Sequence, residues 1–319
     1  MVFEENLATV IVPNLNGGEN VVRLVRGALE QTYAPLEVIV VDGGSRDGSP
    51  EALERLRSQP KRLRILNEET FGSLKGPANA RNLGVLHSGG RYLFFFDADF
   101  ELSDPDLISK VREQLKKYPW VGARVNPRID TWLEFHTAVD DYRRDLGHNM
   151  HMYFGFAREV FEKVMFDPRL GFGDDWDLKK RLKRDMNLEP VYIDACCERH
   201  FIHTFHQWGR QAVWYGRTHV RFMRKWKGFG TRVLAYRTGA LVSLLVSVTT
   251  ALLSPLLSAA FFALFVARVV GAYSYSPTRS KYRMLYLFLR ETFCGALFLS
   301  GFIVGLLQHL AHLQNCRKP

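Results

Sequence analysis

Ten residues constrain this chain more than any others: Tyr92-Leu93-Phe94-Phe95-Phe96-Asp97-Ala98-Asp99-Phe100-Glu101, an apolar run that ends abruptly in acid. Five apolar residues in succession read as a strand buried on both faces, as parallel strands inside an α/β sheet are. Its carboxyl end delivers Asp97 and Asp99, which share a face in extended backbone, with Glu101 joining them if the extension persists. Such a cluster suits a hard divalent cation, Mg²⁺ or Mn²⁺, that keeps positions open for phosphate oxygens. The plainer alternative is that the acids open a helix. Ser103-Asp104-Pro105-Asp106 has that pattern and accounts for Asp104 and Asp106. Asp97 and Asp99 would instead be like charges at a buried strand end without a counter-ion.

The residues before this run alternate strand and helix. Leu7 to Val12 is a buried strand stopped by Pro13, and Asn14 to Asn20 is an Asn- and Gly-rich loop. Val21 to Leu29 then carries one helical stripe of core residues. Leu36 to Val41 is a second strand that brings Asp42 to its carboxyl end, before Gly43-Gly44-Ser45-Arg46-Asp47-Gly48 and a helix from Ser49-Pro50. A third strand, Arg62 to Leu66, leads through Lys75 and Gly76 to a helix over 78–87, whose first turns hold Arg81 and Asn82. Helix N-termini favour phosphate, so Lys75 and Arg81 are either phosphate ligands or solvated surface charges. The pattern predicts a doubly wound, mainly parallel sheet with its ligand across the strand ends.

Beyond the acids the order weakens. Trp120 to Val125 reads as a strand, and 130–146 has no clean period. Gly171-Phe172-Gly173-Asp174-Asp175-Trp176-Asp177-Leu178 places three acids around a tryptophan before a basic helix. Helix capping accounts for Asp174 and Asp177, though three acids exceed what a cap needs. His200, His203 and His206 recur every third residue, but no cysteine or acid lies at a spacing that would complete a zinc site.

Composition divides the chain. Residues 239 to 267 and 292 to 307 contain no Asp, Glu, Lys or Arg, which marks the C-terminal third as a membrane domain. As one helix, 239–267 would be about 44 Å long against a hydrocarbon core of about 30 Å, so a break at Ser254-Pro255 is expected. With that break a third span follows over 285–310 and the basic loop Arg279, Lys281, Arg283 returns to the cytosol, whereas a single tilted span would leave that loop outside and return the C-terminus inside. Met1 to Asn6 has two glutamates and no basic n-region, so the N-terminal domain is expected in the cytosol. Of the net charge of +10, eight Lys or Arg and no acid fall between Arg199 and Arg232, interleaved with tryptophans. Directly before an apolar span, that composition indicates a membrane interface rather than nucleic acid. The four cysteines, 196, 197, 294 and 316, have no metal-ligand spacing and read as reduced. The expected domains are 1–198 catalytic, 199–231 interfacial and 232–313 transmembrane; nothing in the pattern indicates an oligomeric state.

The ordered motifs Val12-Pro13-Asn14-Leu15-Asn16, Val40 to Ser49, Gly76 to Gly84, Asp97-Ala98-Asp99 and Gly173 to Leu178 resemble those of inverting family 2 glycosyltransferases, which have the GT-A nucleotide-sugar-binding fold. The resemblance covers roughly residues 7 to 230. It implies a nucleotide-sugar site that includes Pro13, Asn14, Asn16, Asp42, Gly43, Lys75, Arg81, Asp97 and Ala98, with Asp42 holding the base. It further implies Mn²⁺ or Mg²⁺ on Asp97 and Asp99, with Glu101 and His200 as further ligands, and Asp175 as general base. Asp174 departs from the family's usual Glu at that position. Membrane members of the family suggest GDP-mannose over UDP-glucose as donor. A phosphate acceptor needs no base, so the Asp174-Asp175 pair favours a hydroxyl of a lipid-linked saccharide or glycolipid over a polyprenyl phosphate. The rivals are a nucleotidyltransferase and a noncatalytic nucleotide-binding membrane scaffold.

Overall fold

The computed structural model describes residues 3–57, 62–72, 74–144, 155–201, 204–251, 254–274 and 281–315. They form two compact units: Met1–Asp130 with Arg144–Leu170 and Asp174–Phe201, and Thr131–Arg143 with Gly171–Gly173 and Ile202–Pro319.

The first unit opens with β1 (Glu4–Asn14), α1 (Gly18–Leu29), β2 (Leu36–Asp42), α2 (Ser49–Leu56), β3 (Arg62–Asn67), α3 (Pro77–His87) and β4 (Gly90–Phe95). These strands lie parallel in the order β3-β2-β1-β4. The stripe on α1 buries Val21, Val22, Leu24, Val25, Ala28 and Leu29 as its periodicity requires. After β5 (Phe100–Glu101) and α4 (Leu107–Leu115), β6 (Trp120–Arg128) pairs parallel with β8 (Val191–His200). The three-residue β7 (Gly155–Ala157) joins the two halves, antiparallel to both β4 and β6, and β5 runs antiparallel to β8 at the edge. The sheet is therefore mixed and mainly parallel. A core of Phe95, Trp120, Phe156, Phe161 and Phe166 packs on one face, where Phe156 stacks on Trp120 with 5.3 Å between centroids. The helix α6 (Asp174–Met186) buries Leu178 and Leu182 in that core.

Two expectations change here. The backbone does not stay extended through the acids, because β4 stops at Phe95 and the Phe100 N–H donates to the Asp97 carbonyl at 3.1 Å, closing a turn. The segment without a period contains α5 (Trp132–Arg144), which is grouped with the second unit.

In that unit α7 (Phe205–Lys225) is followed by α8 (Lys227–Thr250), α9 (Pro255–Ser274), α10 (Lys281–Leu289), a π-helical turn at Arg290–Cys294 and α11 (Gly295–Asn315). The break falls at Pro255, as expected. Among the described residues, three stretches are long and apolar enough to cross a membrane: Gly230–Thr250, Pro255–Ser274 and Tyr282–Ala311. The basic aromatic segment differs from a helix lying free on lipid. Its Trp208 and Phe222 are buried in protein, Trp208 stacking on Tyr286, and among its described large rings only Phe205 and Trp214 are well exposed. Its first two residues belong to β8. Arg279 and Cys316 lie outside the described residues.

Candidate active site

Parallel register brings the carboxyl ends of three strands level: Asn14 faces Asp42, and Asp42 faces Asn67, with Pro13 one step back opposite Val41. Asp42 is buried and its own loop fills its carboxylate. Oδ1 accepts from Asn14 Nδ2 at 2.7 Å and Ser45 Oγ at 2.6 Å, and Oδ2 from the N–H groups of Gly44 at 3.0 Å and Ser45 at 2.9 Å. Asn16 adopts a left-handed φ of 54°; its N–H donates to Ser45 Oγ at 2.8 Å and its Oδ1 accepts from the Arg46 N–H at 2.9 Å. These bonds stitch the loops after β1 and β2 into one rim. A carboxylate has about four lone-pair positions, and all four on Asp42 are taken, so this residue shapes the rim rather than offering a free grip on a base.

Another acid stands open beside it. Glu68, the residue after β3, is 2% exposed. Its Oε1 accepts from the Gly76 N–H at 3.0 Å and Asn79 Nδ2 at 2.8 Å, while Oε2 has no hydrogen bond among the described residues. Oε2 faces Gly43, where an added Cβ would stand 3.3 Å from it and 3.6 Å from Cδ1 of the exposed Leu15. Burial raises the Glu68 carboxyl above its ordinary value of 4.5, against the pull of its Asn79 and Gly76 donors. Lys75 is ion-paired with Glu69 on the exposed side of the same loop.

The acids expected to converge on one cation separate instead, each toward its own base. Asp97 pairs with Arg81 at 2.5 Å, and Asp99 Oδ2 with Arg199 Nε at 2.9 Å. Glu101 accepts from His200 Nε2 at 2.8 Å, with Arg23 and Arg128 each 3.8 Å away. Counter-ions are thus present where none was expected. The turn at 97–100, with Ala98 inside it, spreads the side chains further. Among the described residues no three His, Cys, Asp or Glu side chains gather to hold a metal. Asp99 nevertheless keeps an opening, because its Oδ1 is buried without a hydrogen-bond partner among the described residues. Burial raises the Asp99 carboxyl, opposed by Arg199 and reinforced by Asp97. An orphaned carboxylate oxygen beside a second acid fits a divalent cation. The ladder between β5 and β8 carries His200 there too, its N–H donating to the Asp99 carbonyl at 2.8 Å. His206 is exposed in the first turn of α7, and His203 lies outside the described residues.

Arg81, expected beside a diphosphate, is a buried clamp: its guanidinium, also set over the Phe166 ring, pairs with both Asp97 and Asp174. Asp174 and Asp175 open α6. Burial pushes Asp174 up to about 7 against the pull of Arg81, with Asp175 and Asp97 adding like charge. Asp175 is raised by burial as well, opposed by the Trp176 N–H and Arg81. It is half-buried, and its Oδ1 accepts from the Trp176 N–H at 2.7 Å. Three carboxylates thus share one guanidinium, and Asp175 is the one not fastened to it. Asp177 is fully buried and accepts from Arg181 one turn on, a structural role. Arg199, Arg23 and Glu68 were missed in the sequence; Arg199 showed only as the first member of a basic stretch.

Residues 9–166 match the model of the family described as glycosyl transferase family 2. These residues are a glycosyl transferase family 2 domain. Within it the chain is 34% identical over 111 residues to the glycosyltransferase GlyG of Streptococcus pneumoniae, covering 35% of this chain and 36% of GlyG. It is 30% identical over 97 residues to the Escherichia coli enzyme WfgD, named as a UDP-Glc:alpha-D-GlcNAc-diphosphoundecaprenol beta-1,3-glucosyltransferase, covering 30% and 36%. The chain therefore spans about a third of the length of these curated relatives. Among solved structures, the mannosyltransferase PcManGT of Pyrobaculum calidifontis in complex with GDP-Man and Mn²⁺ superposes with a TM-score of 0.61 at 19% identity, over 95% of this chain and 88% of that one. Glucosyl-3-phosphoglycerate synthase of Mycobacterium tuberculosis, with Mn²⁺ and UDP, gives 0.51 at 15% identity over 69% and 79%. The family 2 domain and these structures share the GT-A fold.

Proposed function

We propose that this chain is an inverting hexosyltransferase that moves a sugar from a nucleotide sugar to a hydroxyl of a lipid-linked saccharide or glycolipid at the cytosolic membrane face. The observation that carries this reading is Asp175, a half-buried carboxylate with a raised pKa, beside but not fastened to the Arg81 clamp. In this reading it takes the proton of the acceptor hydroxyl. The hydroxyl oxygen then bonds to the anomeric carbon as the bond to the diphosphate breaks on the opposite face. Asp99 and Asp97 would hold a divalent cation, which when bound supplies charge neutralisation for the departing nucleoside diphosphate. An Asp99→Asn variant is therefore expected to bind Mn²⁺ at least about tenfold more weakly, read by titration calorimetry, and unchanged affinity would remove Asp99 from the site.

Glu68 favours guanine as the donor base, hence GDP-mannose over UDP-glucose. Guanine presents two adjacent donors, N1–H and N2–H, on one edge, which suit an open carboxylate oxygen over Gly43. Uracil presents one N–H flanked by two carbonyls that the acid would repel. GDP is expected to bind about 10–100-fold more tightly than UDP, with the preference shrinking in Glu68→Gln and both nucleotides weakening in Gly43→Ala. Tighter UDP binding would reverse the base assignment. Mild acid treatment of the product tests the acceptor: transfer to a hydroxyl of a diphosphate-linked saccharide releases a disaccharide or longer chain, transfer to a glycosidically linked glycolipid releases no sugar, and transfer to a polyprenyl phosphate releases free hexose.

A further inference from the structure

We propose that α11 does not cross the bilayer but lies with α7 along the membrane surface, the two helices forming one amphipathic layer that binds anionic lipid. Their contacts advance together along both sequences. A Cβ on Gly209 would meet Leu297, one on Gly301 would strike the Val213 carbonyl, and one on Gly305 the Arg217 carbonyl. Arg217 Nε donates to Gln308 Oε1 at 3.0 Å, and Arg224 bonds His309. The helices therefore run side by side in the same direction from Gly209 to Arg224, roughly 22 Å of α7. Gly216, Gly301 and Gly305 permit backbone-to-backbone approach, so the register is fixed by close packing.

This pairing decides what α11 can do. Arg210, Arg217 and Arg221 of α7 are exposed, and this helix contains no acid. If α11 crossed the bilayer, these arginines would ride alongside its apolar stretch through the hydrocarbon, where charge is costly and is normally turned toward a protein interior. Laid flat, the pair places every group in a suitable medium. Ile303, Val304, Leu306, Leu307 and Leu310, the large exposed apolar residues of α11, enter the acyl boundary. The arginines of α7 meet lipid phosphates.

The layer has a topological consequence. α8 and α9 run antiparallel, Ser247 Oγ donating to the Ser258 carbonyl at 2.9 Å and Arg268 to the Tyr236 carbonyl, so they contribute an even number of crossings and the C-terminus returns to the side of the family 2 domain. The test is full-length protein in Escherichia coli carrying green fluorescent protein or alkaline phosphatase after Pro319, compared with fluorescent protein fused before Met1. Fluorescence at both ends with an inactive phosphatase is expected. An active phosphatase at the C-terminus with fluorescence at the N-terminus means that α11 crosses and overturns the proposal. A nitroxide on Val304→Cys, in vesicles of phosphatidylethanolamine and phosphatidylglycerol, gives a second reading. A depth of about 5–10 Å below the phosphates is expected, and a label at the bilayer midplane contradicts the layer.

Discussion

Asp175→Asn is expected to lower sugar transfer by about 10²–10⁴-fold while leaving nucleoside diphosphate and Mn²⁺ binding unchanged. Asn is nearly isosteric and its carbonyl oxygen can still accept from the Trp176 N–H, so the start of α6 keeps its hydrogen bond. What disappears is a basic oxygen beside Arg81. Because burial and the like charge of Asp97 raise this carboxyl, it is a better base near neutral pH than an ordinary aspartate. The comparison also separates acceptors. A hydroxyl must lose a proton as it attacks and depends on Asp175, whereas a phosphate is already an anion. Transfer that survives Asp175→Asn, with metal binding intact, would move the assignment to a polyprenyl phosphate.

Arg81→Met should be the most destabilising single change in the family 2 domain, at about 3–5 kcal/mol, because it leaves Asp174 as a buried charge without its partner. The pH dependence has a definite sign. Asp174 is ordinarily near 3.8 but is held up at about 7 in the folded chain, so between those values the folded state binds more protons than the unfolded state. Stability from this group is therefore full below about pH 4 and is lost as pH rises through the folded value. Without Arg81 the folded value rises further and the loss becomes larger. Thermal unfolding of detergent-purified protein should show a deficit that grows from acid toward neutral pH and is largely removed in the Arg81→Met, Asp174→Asn double variant. A deficit independent of pH would point to lost packing on Phe166 instead.

Much of the fold was legible because its signals are local. The runs at Leu7–Val12, Leu36–Val41 and Tyr92–Phe95 are apolar enough to read as buried strands, and Pro255 broke a run too long for one span. The position of Asp97 and Asp99 after β4 followed from the last strand run, and that of Asp175 at the start of α6 from the acids that precede a basic helix. Their partners could not be read in this way. Arg81 lies on α3, and Arg199 reaches Asp99 only because β8, a hundred residues on, pairs with β5. The turn through Ala98 was hidden because Phe96 and Phe100 prolong the apolar pattern past the point where the backbone turns. Glu68 looked like one of two ordinary glutamates until folding placed its Oε2 beneath Gly43. The α7 segment read as an interfacial helix because basic and aromatic residues dominate it, yet small residues on its other face fit it to α11.

The most direct test is nucleoside diphosphate release by detergent-purified protein given GDP-mannose, UDP-glucose or UDP-N-acetylglucosamine, with Mn²⁺ or Mg²⁺ and membrane lipid extract. Metal-dependent release of GDP that requires the lipid extract and disappears in Asp99→Asn is the predicted result. Pyrophosphate as the product, or nucleotide binding without turnover for every donor, would contradict glycosyl transfer as the activity of this site.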